Sequence, residues 1–137
     1  MATQNFRFSM GLVSSDNTDY SDPSLRTTLS NYTGTADAVE AYRLNIDSGT
    51  AYTFTPASRI GTVDFIVIKN RDTSNGVKVD YTTATGGTTT TAGATGHNIA
   101  AGRFMVIPDC DPDSTISIIA ATADVDIDLV LVGTSNN

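Results

Sequence analysis

Few residues in this sequence could perform chemistry. The chain has one histidine, His97, and one cysteine, Cys110, so a hydrolytic triad would have to use His97. No Gly-x-Ser-x-Gly sequence supplies a nucleophile, and no glycine-rich loop followed by lysine could hold a phosphate. We therefore expect His97 to be an exposed loop residue, and we predict that the protein is not an enzyme and uses no cofactor.

Three aspartates at alternate positions could bind a metal ion. Asp109, Asp111 and Asp113 resemble the start of a calcium-binding loop. The sixth position of that loop requires glycine and the twelfth requires glutamate, but Ser114 and Ala120 stand there. We therefore expect a solvated acidic turn and no bound metal. A divalent-cation site on these three carboxylates is the alternative.

Two further groups of side chains, one of carboxylates and one of tyrosines, are expected to have structural roles. The carboxylates of Asp124, Asp126 and Asp128 alternate with apolar residues, which places them on the solvent face of a strand. The chain has no tryptophan, the commonest sugar-stacking residue, so a sugar-binding platform would have to be built from tyrosines. Three tyrosines stand in apolar rows, however, and are predicted to be core residues. They are Tyr42, Tyr52 and Tyr81.

The composition limits both fold and partners. A chain of 137 residues with 39% hydrophobic residues has room for one domain. It has 22 Thr and 12 Ser against one Glu and one Gln, which excludes an all-helical protein. A net charge of -7 disfavours nucleic acid and anionic membranes as partners. No signal peptide or membrane span is visible, so we expect synthesis in a cytoplasm.

Alternation of apolar and polar residues predicts eight strands joined by turns, without helical stretches between them. We therefore predict an all-β fold, an antiparallel β-sandwich of jelly-roll type with about eight strands and an extended N-terminal segment. The last two strands are expected to form a closing hairpin. The predicted strands lie within residues 5–12, 41–46, 52–54, 63–70, 76–81, 103–108, 115–120 and 125–132.

Two segments do not fit a compact sandwich. Residues 14–37 have almost no periodic pattern, and residues 82–97 are rich in Thr, Gly and Ala. We predict an N-terminal part, residues 1–37, and a sandwich body, residues 38–137, within one domain. Both irregular segments are candidates for contacts with neighbouring molecules. The predicted contact residues are Asp16, Asp19, Tyr20, Leu25, Leu29 and Tyr32.

The second half of the chain resembles small structural proteins of tailed bacteriophages. Four patterns carry the resemblance. Ile-x-Ile-x-Asn stands at 66–70 and Val-x-Val at 77–79. Ala-Gly-x-Phe-x-x-Ile-Pro stands at 101–108 and Val-Gly-Thr at 132–134. These are patterns of β-sandwich strands and turns, and the resemblance implies a component of the virion.

The resemblance implies a capsid decoration (cement) protein on the outer surface of the phage head. Such a protein would stabilise the shell by bridging neighbouring major capsid subunits, and it would contact copies of itself. We expect a homo-oligomer, with a trimer favoured over a dimer. It would be made in the host bacterial cytoplasm, without a nucleic-acid or membrane partner. The alternatives are a neck or tail structural protein, and a calcium-assisted carbohydrate-binding module that uses Asp109–Asp113.

Overall fold

The computed structural model of the chain is all-β, with two antiparallel four-stranded sheets. It describes residues 4–8, 32–36, 38–82, 96–108 and 114–135. The strands are β1 Gln4–Phe8, β2 Tyr32–Ala36, β3 Ala38–Ile46, β4 Tyr52–Phe54, β5 Thr62–Asn70, β6 Val77–Thr82, β7 His97–Ile99, β8 Phe104–Pro108, β9 Thr115–Ala120 and β10 Val125–Thr134, with a short 3-10 helix at Pro56–Ser58.

The eight strands β3 to β10 have the order of a jelly roll. The first sheet runs β3-β10-β5-β8 and the second runs β4-β9-β6-β7. The first strand of this body therefore pairs with the last, the second with the seventh, the third with the sixth and the fourth with the fifth. This is one long hairpin rolled into two sheets. The predicted jelly-roll sandwich is confirmed.

The core lies between the two sheets and follows from the period-2 alternation of the strands. In β10, residues 125, 127, 129 and 131 are fully buried, and they belong to the same core cluster as buried residues of β6 and β9. Burial of these β-branched and leucine side chains is the main favourable term in folding. The largest fully buried side chains are Ile46, Ile60, Ile66, Ile68, Ile116, Ile118, Ile127, Leu129 and Leu131.

The predicted closing hairpin is wrong. Strands β9 and β10 follow each other closely in sequence, but β9 pairs with β4 and β6 whereas β10 pairs with β3 and β5. The short connection 121–124 therefore carries the chain from one sheet to the other. A connection of this length excludes a parallel crossover, but it fits a corner between sheets as well as it fits a hairpin.

Three further details differ from the sequence-based expectations. His97 belongs to β7, which pairs with β6, and is therefore an exposed strand residue and not a loop residue. Tyr81, predicted to point inward, is 40% exposed. Residues 32–36, predicted as part of an irregular segment, form β2. Strands of three to five polar or glycine-containing residues are too short to show an alternation pattern.

Contacts within the chain divide it into two compact units, Met1–Ala36 and Asp37–Asn137. In the first unit, β1 and β2 form an antiparallel pair in which Gln4 lies opposite Ala36 and Phe8 lies opposite Tyr32. The predicted strand near the N-terminus therefore pairs with β2, outside the two four-stranded sheets. The second unit is the jelly roll.

Candidate functional site

The outer face of the β3-β10-β5-β8 sheet is apolar over half its length. The strand register places two complete cross-strand rows of apolar residues on this face, one residue from each strand. Outer faces of antiparallel sheets are usually polar. We call these eight residues the apolar face: Val39, Val132, Phe65 and Pro108 in one row, and Ala41, Val130, Val67 and Val106 in the next.

Exposure varies across the apolar face. Val39 is 47% exposed, and Ala41 and Pro108 are also exposed. Phe65 and Val132 are buried, although they do not belong to the core cluster between the sheets. Phe104, which lies in the next row of the same face, is 50% exposed. The exposed apolar residues therefore lie on the two edge strands, β3 and β8, and groups of exposed apolar residues are typical of protein–protein contacts.

The other half of the same sheet face is charged. The carboxylate of Asp128 accepts hydrogen bonds from Arg43 Nε at 3.1 Å and from Arg71 Nη1 at 2.8 Å. These two bonds, with that from Arg71 the stronger influence, lower the pKa of Asp128 below its usual value. In the next row, Asn45 Nδ2 donates to Asp126 Oδ1 at 2.9 Å. The predicted solvent-facing position of these carboxylates is confirmed, since Asp126 is exposed and Asp128 is partly exposed.

An open groove of about 340 Å³ lies beside this charged half. It lies where the start of β10 and the end of β3 meet the connection between β5 and β6. All of its lining side chains are polar or charged. We call it the polar pocket; its lining residues are Arg43, Asn45, Arg71, Asp72, Thr73, Asp124 and Asp126.

The pocket wall at residues 71–73 is held by local hydrogen bonds. Asp72 Oδ1 accepts from the backbone N–H groups of Ser74 and Asn75, each at 2.6 Å. These bonds, with Asn75 the larger contribution, lower the pKa of the Asp72 carboxyl. Asn70 is fully buried. Its amide donates to the carbonyls of Asn75 at 2.8 Å and Ile99 at 3.0 Å, and its Oδ1 accepts from the Asp72 N–H at 2.9 Å.

Gly76 lies close to the exposed side chain of Asn98 on β7. A Cβ atom at this position would lie 2.9 Å from Asn98 Oδ1. Among the described glycines, positive φ angles occur at Gly96 and Gly102. The carbonyl of Gly76 accepts from the Ala121 N–H at 2.9 Å, which joins the β5–β6 connection to the β9–β10 connection. The two connections beside the polar pocket are thereby tied together.

Two of the predicted core tyrosines form a cluster with an arginine. Tyr42 and Tyr52 are partly buried and pack against the core. The guanidinium of Arg59 lies 4.6 Å from the ring centroid of Tyr42, and its Nη2 donates to the Tyr52 hydroxyl at 3.0 Å. The Tyr42 hydroxyl donates to Glu40 Oε2, and this bond together with burial raises the pKa of Tyr42. This cluster braces β3 against the segment after β4.

The third tyrosine and the lone histidine form an exposed stacked pair. The rings of Tyr81 and His97 are 6.0 Å apart between centroids and inclined by 20°. They lie on the neighbouring strands β6 and β7. The structure thus brings together two residues that sequence patterns treated separately.

The remaining predicted site residues lie outside the described part of the chain. This applies to the candidate cation ligands Asp109, Asp111 and Asp113, which stay a prediction. It also applies to the contact candidates Asp16, Asp19, Tyr20, Leu25 and Leu29. Only the strand position of Tyr32, in β2, is described.

Within the described residues, no three His, Cys, Asp or Glu side chains lie close enough together to hold a metal ion. Nor does the same part of the chain contain a helix long and apolar enough to cross a membrane. No known protein family, curated protein or solved structure matches this chain at a significant level.

Sequence patterns contained a signal for the apolar face but none for the polar pocket. Residues 65–68 and 129–132 are apolar without alternation, which indicates strands covered on both faces. The pocket residues come from three separate stretches of sequence. Only the pairing of β3 with β10, and the position of the β5–β6 connection, bring them together.

Proposed function

We propose that this protein is a structural component of a tailed-phage virion, and most specifically a decoration protein that binds the outer surface of the head. It bridges neighbouring major capsid subunits and contacts copies of itself. The observation that carries the proposal is the apolar face. A sandwich with one apolar outer surface has a ready means of binding another protein.

The jelly-roll topology is compatible with the same role, but it is less specific than the apolar face. Jelly rolls are frequent in viral capsid proteins, although they also occur in lectins and enzymes, so the fold alone does not decide function. The resemblance of residues 63–134 to small phage structural proteins provides the second support. A shell also offers many equivalent sites, so contacts that are weak singly become effective together.

The proposal assigns the shell contact to the apolar face. Ala41 is the best position for a test, because it is an exposed residue of this face on the edge strand β3. An aspartate there would have to lose its hydration in the contact. We expect Ala41→Asp to reduce binding to shells of the same virus by at least about tenfold in a co-sedimentation assay.

A matched control is available on the second sheet. Thr53 is also exposed and lies on the edge strand β4. Thr53→Asp introduces the same charge on the other side of the sandwich and should leave binding unchanged. Equal binding by both variants would overturn the assignment of the apolar face, and failure of the unchanged protein to bind shells would overturn the decoration role.

A further inference from the structure

We propose that strand β8 pairs edge to edge with β8 of a second copy of this chain, antiparallel, about a two-fold axis at Val106. The inference rests on the part of the proposed function in which the chain contacts copies of itself. It predicts a dimer where the resemblance to phage proteins favours a trimer. Its test uses no shells, so its failure and the failure of shell binding are distinguishable.

The backbone of β8 offers free hydrogen-bonding groups at the sheet edge. In the described part of the chain, β8 pairs with β5 alone, and the Asn70 N–H donates to the Arg103 carbonyl at 2.9 Å. The direction of the backbone groups alternates along an antiparallel strand, so residues 105 and 107 face β5 whereas residues 104, 106 and 108 face outward. No described residue forms a hydrogen bond with these outward backbone groups. Such an edge can pair with another strand.

Strand β8 is less protected against such pairing than the other edge strands. Charged side chains and short length are common protections of sheet edges. The five residues of β8, Phe104–Pro108, carry no charge. The opposite edge of the same sheet, β3, contains Glu40 and Arg43, and the edges of the second sheet, β4 and β7, have three residues each. An uncharged partner strand therefore meets no charged side chain on β8.

A second copy of β8 fits this edge in one antiparallel register over the full length of the strand. With Val106 opposite Val106 of the second copy, each N–H donates to the carbonyl of the other. Phe104 then lies opposite Pro108 of the second copy, and its N–H donates to the carbonyl of that proline. Because Pro108 has no N–H, the Phe104 carbonyl stays unpaired, but it lies at the end of the contact, where water can reach it.

The same register joins the apolar faces of the two copies. The row of the apolar face that ends at Val106 would continue into the identical row of the second copy. The half-exposed ring of Phe104 would lie beside Pro108, which is also exposed. Exposed apolar side chains of both copies would leave water against each other, and no like charges meet in these cross-strand pairs. This match of the strand to itself assigns the edge to a second copy.

Amide hydrogen exchange of the full-length protein, followed by NMR, tests the pairing directly. We expect slow exchange at the N–H groups of Phe104 and Val106, for which the described residues supply no acceptor. Ala41 is the comparison. The Arg71 N–H donates to the Asp126 carbonyl at 2.9 Å, so the alternation across β10 turns the Ala41 N–H to the outer edge of β3, where exchange should be fast. Analytical ultracentrifugation of the same sample should show a dimer.

Proline substitution removes the central donors of the contact. Val106→Pro deletes an N–H that faces outward and costs no bond to β5, and we expect the dissociation constant of the dimer to rise at least about tenfold. The Phe104 amide should then exchange fast. Ala41→Pro makes the matched change at the edge of β3 and should leave the dimer unchanged. Retained protection of the amides of β5 and β10 checks that both variants are folded.

Fast exchange at Phe104 and Val106 in the unchanged protein would overturn the inference. So would a dimer that Val106→Pro leaves intact, or one that Ala41→Pro weakens as much. Protection of the β8 amides only after shells are added, measured by hydrogen exchange with mass spectrometry, would assign this edge to the shell protein and also overturn it. In each of these cases, shell binding that Ala41→Asp abolishes would leave the assignment of the apolar face standing.

Discussion

Asn70 is a buried polar residue that joins three segments at the charged end of the jelly roll. It is fully buried, and its side chain satisfies two carbonyls and one N–H group from the segments around it. Buried backbone groups that lose such partners are costly, since water cannot replace the lost bonds. This one side chain therefore links the end of β5, the turn that follows it, and β7.

Substitution of Asn70 tests this role. Asn70→Ala leaves the carbonyls of Asn75 and Ile99 without their side-chain donor, and we expect the free energy of unfolding to fall by about 2–3 kcal/mol. Urea denaturation gives this quantity directly. The control is Asn45→Ala, because Asn45 is exposed and its bond to Asp126 can be replaced by water. Similar losses in both variants would contradict the account.

The carboxylate of Asp128 should make the free energy of unfolding depend on pH. Its pKa is lowered in the folded state by Arg71 and Arg43, from an ordinary value of 3.8. A carboxyl group whose pKa is lower in the folded state than in the unfolded state stabilises the folded protein at pH values above the unfolded-state pKa. This stabilisation is lost as the pH falls through the folded-state pKa. We expect Asp128→Asn to be less stable than the unchanged protein at pH 6, by no more than about 1 kcal/mol because both arginines are exposed.

This stability difference should disappear on acidification below pH 3.8. Denaturation curves for both proteins between pH 6 and pH 2 measure it. Asp80→Asn, on the second sheet, serves as the comparison at each pH. A difference between Asp128→Asn and the unchanged protein that persists at the lowest pH would show that the ion pairs do not cause it.

At the scale of elements, the pairing of β5 with β10 contains an irregularity that constrains Gly133. The register passes from Val132 opposite Phe65 to Gly133 opposite Val63, which leaves Asp64 as an extra residue in β5. A Cβ atom on Gly133 would lie 1.8 Å from the carbonyl oxygen of Thr62. The two strands can approach this closely only because no side chain stands there.

Gly133→Ala should therefore force the two strands apart. We expect a loss of about 3 kcal/mol in the free energy of unfolding, the upper part of the range for overpacked sites. Gly49→Ala is the control, because the nearest atom to its added Cβ would be Asp47 Oδ1 at 3.2 Å, at the end of a side chain in an exposed turn. An unchanged denaturation midpoint for Gly133→Ala would contradict the described register.

Sequence patterns predicted the longer strands of the sandwich because these strands alternate over part or all of their length. Residues 125–128 of β10 alternate clearly, and the structure buries Val125 and Ile127 while it exposes Asp126. Strand β7 was missed because its three residues, His97–Ile99, show no such pattern. The connection between β9 and β10 was misjudged because its length alone does not distinguish a hairpin from a corner between sheets.

The candidate sites were less predictable than the fold. The apolar runs in β5 and β10 are typical of strands covered on both faces, but they do not show that two rows join across four strands. The polar pocket depends on residues as far apart as Arg43 and Asp126. Such long-range proximity depends on strand order, which a single sequence does not determine.

At the scale of the whole molecule, the outer face of the β3-β10-β5-β8 sheet has two different ends. One end is the apolar face and the other carries Arg43, Asp128 and Lys69 in one cross-strand row. A partner that covers this sheet would bury the apolar end and meet charges at the other end. Electrostatic pairs at the rim of a contact chiefly affect association rate and salt dependence.

Self-association is a second consequence of the apolar face. The proposed role includes contacts between copies of the chain, and we expect analytical ultracentrifugation to show an oligomer at micromolar concentration. Phe104→Ser, which removes the half-exposed ring beside the apolar face, should shift the distribution toward monomer. Tyr81→Ser removes a similarly exposed ring from the second sheet and should not. A monomer at all concentrations would contradict self-contact in solution.

The central claim is that this jelly roll binds a viral shell through the apolar face. The most direct measurement is electron cryo-microscopy of shells of the same virus after addition of the full-length chain. The account predicts extra density on the outer surface of the shell, with the β3-β10-β5-β8 sheet turned toward a neighbouring subunit or copy, and loss of that density with Ala41→Asp but not with Thr53→Asp. Bare shells, or density in which the β4-β9-β6-β7 sheet makes the contact, would contradict it.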